Sequence, residues 1–239
     1  VIYMEQEILY AKKWDKSAKY FYETKRYDWM AEKLTEYKTI LEIGCGTGYS
    51  TLALVEAGHT VISVDKNSFC ISKAKELVES EGIESQVQFI EGDIAESAFR
   101  NYLKENYSYD MVICWNVGTY WTKEMLEFYL PYMIEYGLTV QKIEENPESS
   151  YAELIVWETC RLAAESNVPI QIVDRGTEPI YFETDPYYKN LGVEFGYIKV
   201  YYDNLEADSI PNTGCMLSTN GVVDDSERVR IVLISVIFE

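Results

Sequence analysis

Histidine is almost missing from this chain: one residue, His59, in 239. Proton abstraction near neutral pH most often uses histidine, so a histidine-based mechanism has a single place to stand. Cations are scarce as well, with 21 Lys and Arg against 40 Asp and Glu and a formal net charge of −19. A surface this acidic repels phosphate backbones and lacks the cations whose counterion release drives nucleic-acid binding. Nucleic acid is therefore disfavoured as a partner, and the basic pieces Lys12-Lys13 and Lys25-Arg26 are interleaved with acidic residues. No apolar run approaches the ~20 residues of a membrane span, and no basic segment followed by an apolar one opens the chain. A soluble, cytoplasmic protein without membrane contact is expected. Five cysteines (Cys45, Cys70, Cys114, Cys160, Cys215) are widely spaced, odd in number and never in a C-x-x-C pair. That argues against a disulfide framework or a zinc site and predicts buried free thiols and no bound metal. No linker, internal repeat or low-complexity tract divides the chain, and its length suits one α/β domain over residues 1–239.

What the chain does have is an apolar run, Ile40 to Ile43, broken by glycines at alternate positions, Gly44, Gly46 and Gly48, and followed by an amphipathic stretch. Glycines there let the chain turn sharply and bring main-chain atoms against a ligand at a strand's carboxyl end. The dinucleotide fingerprint fails because its third glycine position holds Tyr49, which disfavours a nicotinamide oxidoreductase. The phosphate-loop version fails because no Gly-Lys-Ser or Gly-Lys-Thr follows. A second apolar run over residues 61–64 closes on Asp65, seventeen residues after Gly48, about where a βαβ unit sets an acidic group over a ribose diol. A third run, 87–90, precedes Glu91-Gly92-Asp93-Ile94, and a fourth, 110–115, precedes Asn116-Val117-Gly118-Thr119. His59 precedes the second strand, hence on the sheet edge away from the strand carboxyl ends.

The series E-x-G-x-G-x-G, Asp65, Gly92-Asp93-Ile94 and the run ending at Asn116 resembles, in order and spacing, the motifs of the class I S-adenosylmethionine-dependent methyltransferases. The resemblance is detailed over residues 38–120 and only topological beyond. It implies a Rossmann-like, doubly wound α/β fold: seven strands in a mostly parallel sheet, a helical N-terminal cap and an insertion after the fourth strand. It also implies S-adenosylmethionine as methyl donor, with S-adenosylhomocysteine as product. Gly44, Gly46 and Gly48 would face the methionine part, and Glu42 would accept from its ammonium or order a water. Asp65 would take the ribose hydroxyls, with Lys66 and Asn67 beside the adenine. Asp93 would accept from the adenine amino group while Ile94 packs on the ring, and Asn116 and Val117 would line the floor near the sulfonium. No catalytic residue is assigned. The position after the fourth strand lacks the N-P-P-Y or D-P-P-Y of DNA amino-methyltransferases, so a small-molecule acceptor is favoured. Methylation of protein or RNA, and a domain that binds the donor without chemistry, are the competing readings; oligomeric state is left open.

Apolar and aromatic residues at helical spacing over residues 4–37 predict two helices within a cap, 1–37, whose Trp14, Tyr20, Phe21 and Tyr27 are candidates to wall the site. Crossover helices are expected at 51–57, 68–80 and 94–106 within a cofactor-binding half, 38–120. Residues 121–166 are read as an insertion or lid plus a helix: helical over 123–136, extended over 139–143, a turn at 146–150 and a helix over 151–166. The C-terminal strands, 167–239, should include 169–173, 195–202 and 229–238, with a polar loop carrying Pro211, Gly214 and Gly221. Roughly fifty residues between the fourth and fifth strands exceed the ~30 of a plain βαβ unit, so residues 121–150 are expected on the acceptor side, with residues 177–194 as the fallback.

Overall fold

Four short segments, Thr39–Ile43 (β1), Thr60–Asp65 (β2), Met111–Asn116 (β4) and Ile170–Gly176 (β5), each bury a continuous run of four or more side chains. Continuous burial without alternation belongs to parallel strands covered on both faces, and helices provide that cover here. The computed structural model describes residues 2–116, 120–210 and 228–239. With Val87–Glu91 (β3), Val200–Ser209 (β6) and Val229–Phe238 (β7), the strands form one seven-stranded sheet in the order β3-β2-β1-β4-β5-β7-β6. Strands β1 to β5 are parallel, and β7 runs antiparallel between β5 and β6. The strand order reverses between β1 and β4, where an open α/β sheet binds ligands.

Alternate side chains of each strand enter different cores. Ile40, Val61, Met111 and Ile113 point to one that also holds Phe21, Met30 and Leu34 of the N-terminal segment. Leu41, Ile62, Val112 and Ile172 point to the other, with Cys160, Leu162 and Phe238. The first core is covered by Ile2–Glu23 (α1), Arg26–Ala31 (α2) and Tyr49–Glu56 (α3). The remaining helices are Ser68–Ser80 (α4), Ser97–Asn106 (α5), Met125–Tyr136 (α6), Val140–Glu145 (α7), Pro147–Glu165 (α8) and Tyr188–Glu194 (α9). Helices α6 to α8 lie between β4 and β5, and a third cluster, including Trp121, Met125, Tyr129, Met133, Tyr151 and Leu154, joins them to Ala95 after β3. Among the described residues no helix is long and apolar enough to cross a membrane, and Cys45, Cys70, Cys114 and Cys160 are buried free thiols. Cys215 and the loop glycines Gly214 and Gly221, like Pro211, lie outside the described residues.

Several boundaries depart from those expected of the sequence, each for a local reason. Residues 139–143 read as extended because Thr139 and Val140 are β-branched, but Thr139 is a helix cap: its Oγ1 accepts from the Lys142 N–H at 3.2 Å and α7 follows. Helix α8 starts at Pro147 rather than 151, because Asn146 Oδ1 caps the Ser149 N–H at 3.0 Å and proline suits the first helical turn. Helix α5 starts at Ser97 rather than 94, since Asp93 Oδ1 takes the Ala95 N–H at 2.9 Å and holds a turn there. The aromatic run 195–202 is not one strand: α9 reaches Glu194, Gly196 turns the chain at φ +79°, and β6 begins at Val200.

Gln171, fully buried in β5, joins the neighbouring strands β4 and β7 and the helix α2. Its Oε1 accepts from Trp115 Nε1 at 2.8 Å, while its Nε2 donates to the Met30 carbonyl and to Ser235 Oγ, both at 3.0 Å. Gln171→Leu strands those partners in a dry interior, where each unmet group costs about 1–3 kcal/mol. Urea unfolding of the variant is expected to show a loss of about 2–4 kcal/mol, and a loss below about 0.5 kcal/mol would refute the assignment.

Candidate functional site

The turn leaving β1 is held against β2 by its own amides. Gly44 and Cys45 donate to the Val64 carbonyl at 2.8 and 3.0 Å, and Gly46 donates to Asp65 Oδ2 at 2.9 Å. Gly44, Gly46 and Gly48 all have positive φ (84°, 53° and 95°), which side-chain-bearing residues rarely adopt. Their surroundings differ. A Cβ on Gly44 would meet nothing within 4 Å, one on Gly46 would overlap the Trp14 indole, and one on Gly48 would sit 2.8 Å from Ala74 Cα of α4. Gly44 thus offers open backbone to a ligand, Gly46 carries the Trp14 ring, and Gly48 serves close helix packing.

Beneath the turn lies Glu42, only 2% exposed. Oε1 accepts from Ser50 Oγ at 2.5 Å, and Oε2 accepts from Thr51 Oγ1 and Ser63 Oγ at 2.6 and 2.8 Å. Burial pushes its pKa up, and the three hydroxyls oppose that push. The carboxylate is occupied from below and does not line the cleft.

The cleft opens where the carboxyl ends of β1, β2, β3 and β4 meet. It is lined by Gly44, Gly46, Asp65, Lys66, Asn67, Asp93 and Ile94, by Cys114 and Trp115 of β4, and by Tyr10, Trp14, Tyr120, Tyr151, Ala152 and Ile155. Asp65 accepts from Asn67 N at 2.8 Å besides Gly46 N, and burial raises its pKa against those amides. Asn67 caps α4 through bonds from Phe69 N and Cys70 N at 3.0 and 3.2 Å, and its Nδ2 donates to the Glu7 carbonyl of α1 at 3.3 Å. Lys66 Nζ donates to Tyr129 Oη at 3.1 Å and lies over the rings of Tyr151, Tyr129 and Tyr120 at 4.2, 4.8 and 5.8 Å. Burial lowers its pKa to about 8, against the pull of Asp93, Asp65 and Glu7. Asp93 Oδ2 accepts from the Tyr129 hydroxyl. Ile94 is buried, and its carbonyl takes Arg100 Nη1 at 2.8 Å.

The structure therefore brings Gly44, Gly46, Asp65, Lys66, Asn67, Asp93 and Ile94 to one cleft and leaves Glu42 and Gly48 outside its lining. Asn116 ends β4, in register with Asp174 of β5, while Val117 lies outside the described residues. Of the four aromatics expected to wall the site, only Trp14 does. Phe21 and Tyr27 belong to the core, and Tyr20 Oη donates to Asp208 Oδ1 at 2.8 Å. The wall is completed by Tyr10, Tyr120 and Tyr151, which sequence reasoning missed. Tyr10 was within reach, being one helical turn before Trp14 on α1. Thr47 lies in the glycine turn with its hydroxyl buried and without a hydrogen-bond partner, outside the lining of the cleft. An open glycine and a carboxylate at adjacent strand ends fit a polar ligand lying across the β1–β2 edge. His59 lies elsewhere. It is buried before β2 with Nδ1 2.8 Å from the Tyr37 carbonyl, so Nδ1 carries the proton.

Residues 40–133 match the family model described as a methyltransferase domain. A cypemycin N-terminal methyltransferase from Streptomyces sp. is 36% identical over 62 residues, which are 26% of this chain and 24% of that protein. A sterol 24-C-methyltransferase from Pneumocystis carinii (strain B80) is 29% identical over 82 residues, 34% of this chain and 22% of that protein. The chain thus spans about a quarter of the length of these curated relatives. Among solved structures, one described as "Conversion of a Disulfide Bond into a Thioacetal Group during Echinomycin Biosynthesis" superposes with a TM-score of 0.54 at 13% identity, covering 90% of this chain and 81% of that one. The crystal structure of EvdMO1 gives 0.51 at 16% identity, covering 90% of this chain and 40% of that one. These two likenesses show the fold.

Glu42→Ala removes the acceptor of three buried hydroxyls at once. Thr51 and Ser63 keep the 3.1 Å bond between their hydroxyls, so at about 1–3 kcal/mol per stranded group chemical denaturation should report a loss of about 2–4 kcal/mol. A variant as stable as the parent would show that the turn is held by its glycines and amides alone.

Proposed function

Since residues 40–133 form a methyltransferase domain of the class I, S-adenosylmethionine-dependent kind, we propose that this chain transfers a methyl group to a small-molecule acceptor, in the cytoplasm and as one functional unit over residues 1–239. The observation that carries the reading is the meeting of Gly44, Asp65, Asp93 and Trp115, each from a different strand end, around one cleft walled by rings from α1, α8 and the segment before α6. Bound there, S-adenosylmethionine supplies a methyl group already activated on a sulfonium.

The chain's own residues hold and align. Backbone at Gly44 and Gly46 receives the methionine part, Asp65 the ribose hydroxyls, and Lys66, Asn67, Asp93 and Ile94 the adenine. Cys114 and Trp115, at the end of β4, line the cleft on the side of the reacting carbon. Tyr10, Trp14, Tyr120, Tyr151 and Ile155 exclude water and fix the acceptor, and most of the acceleration in an in-line displacement comes from that positioning. His59 takes no part, because it sits at the amino end of β2. The acceptor is accordingly one that needs no histidine: a neutral amine, an easily ionised group or an activated carbon. The names of the two curated relatives, an N-terminal and a 24-C methyltransferase, fall within that set and support it. The charge of −19 supports a small acceptor over nucleic acid.

Calorimetric titration with S-adenosylhomocysteine, followed by donor turnover in fractionated metabolite extracts, tests the reading; label recovered in a polymer fraction would replace the small-molecule acceptor. Asp65→Asn exchanges one acceptor oxygen for a donor. A hydrogen bond to a charged group contributes roughly 1.5–3 kcal/mol, so affinity for S-adenosylhomocysteine should fall about tenfold or more. Unchanged affinity would move the ribose elsewhere. His59→Asn should leave turnover and its pH profile unaltered, and a selective loss of turnover would overturn the assignment of the cleft.

A further inference from the structure

Asp93 has two carboxylate oxygens, and the protein uses both. Oδ1 accepts from the Ala95 backbone N–H at 2.9 Å, which holds the turn after β3. Oδ2 accepts from the Tyr129 hydroxyl, which comes from α6 of the segment between β4 and β5. The same hydroxyl accepts from Lys66 Nζ at 3.1 Å while it donates to Asp93. Burial keeps Tyr129 a neutral phenol, raising its pKa far above the ordinary value. The ring cannot swing away alone: Tyr151 meets it at 4.7 Å, Phe128 at 4.8 Å and Trp121 at 6.3 Å. Moving the hydroxyl therefore means moving α6 together with its ring partners, of which Tyr151 lines the cleft.

An amino N–H of adenine and a phenolic O–H ask the same thing of Asp93, a lone pair on a carboxylate oxygen. With Oδ1 turned to the main chain, both are drawn to Oδ2, and the adenine N–H either shares that oxygen with the phenol or displaces it. We propose that Tyr129 is a latch competing with the methyl donor for Asp93: its hydroxyl keeps α6 against the strand ends, and the donor's adenine, by taking Oδ2, releases α6 and loosens the acceptor wall. The inference rests on the proposed function at one point, the assignment of adenine to Asp93. Its consequence is an order of events. The donor opens the acceptor side, so acceptor follows donor, and the donor's apparent affinity is reduced by the work of breaking the latch.

Binding of S-adenosylhomocysteine by calorimetry to the parent protein, Tyr129→Phe, Asp93→Asn and the double variant tests the latch. Tyr129→Phe deletes only the hydroxyl and should bind about three- to tenfold tighter, the range expected when one competing hydrogen bond is removed. Asp93→Asn, which sets an N–H where adenine would donate, should bind about tenfold weaker, and in that background Tyr129→Phe should add nothing. Hydrogen exchange gives a second readout that does not depend on affinity. In the parent protein S-adenosylhomocysteine should speed exchange over residues 125–136, and in Tyr129→Phe that segment should exchange fast before any addition. If Asp93→Asn weakens binding while Tyr129→Phe leaves it unchanged or weaker, the two donors share Asp93 and the latch is wrong though the adenine assignment stands. If Asp93→Asn binds normally, the adenine assignment fails and the latch with it. Slower or unaltered exchange over 125–136 on adding S-adenosylhomocysteine likewise overturns the latch.

Discussion

The glycine turn is placed by one buried carboxylate. Glu42 sits in β1 opposite Ser63 of β2 and below Ser50 and Thr51 at the start of α3, and all three hydroxyls donate to it. An ionised group taken out of water costs several kcal/mol unless its lone pairs are satisfied, and here no cation does that work. The hydroxyls do, helped by the N-terminal end of α3, where peptide dipoles favour negative charge. Because two of the donors come from α3 and one from β2, satisfying Glu42 fixes the distance from β1 to β2 and the entry of α3 together. The backbone conformation that exposes Gly44 follows from that fixation.

Charge inside the cleft repeats the acidic balance of the chain but is spatially organised. The chain as a whole carries 40 acidic residues against 21 basic ones. Inside, Asp65 and Asp93 flank a single lysine among the lining residues, whose ammonium is lodged over three tyrosine rings. Cation–π contact is worth about 2 kcal/mol or more where water is displaced, which offsets part of the cost of burying Lys66. The lysine therefore does structural work that its place beside Asp65 does not announce: it joins the strand ends to α6 and α8.

How much of this was legible in the sequence follows a physical rule. The glycines, Asp65, Gly92-Asp93-Ile94 and the end of β4 were readable because each is a break in an apolar run, a signal confined to a few consecutive residues. Strand order came with them, since strands alternating with helices in register permit few arrangements. Glu42 was visible as a residue but not as a hub, because its partners are set by strand register and helix phase. Gly48 was assigned to the ligand along with its neighbours, yet Ala74 of α4, far along the chain, is what demands it. The convergence of Tyr10, Tyr120 and Tyr151 was hidden among 21 tyrosines, since no local pattern tells a ring that faces the cleft from one that faces the core. Residues 139–143 misled because β-branched residues favour strands by propensity, while a threonine cap outweighs that preference when a helix follows.

The rings decide how the cleft is entered. Tyr10 of α1 meets Tyr120, just before α6, at 4.8 Å, and Trp14 covers Gly46, so the cap and the segment between β4 and β5 touch one another across the strand ends. Trp121, Tyr129 and Tyr151 continue that contact sideways with ring separations of 4.7 to 6.3 Å. Aromatic pairs of this kind add about 0.5–1.5 kcal/mol each beyond the area they bury, enough to keep two otherwise separate elements docked. In the proposed function, a wall made this way presents ring faces to the acceptor and leaves the proton economy of the reaction to the acceptor itself, which is the condition a chain with one remote histidine has to meet.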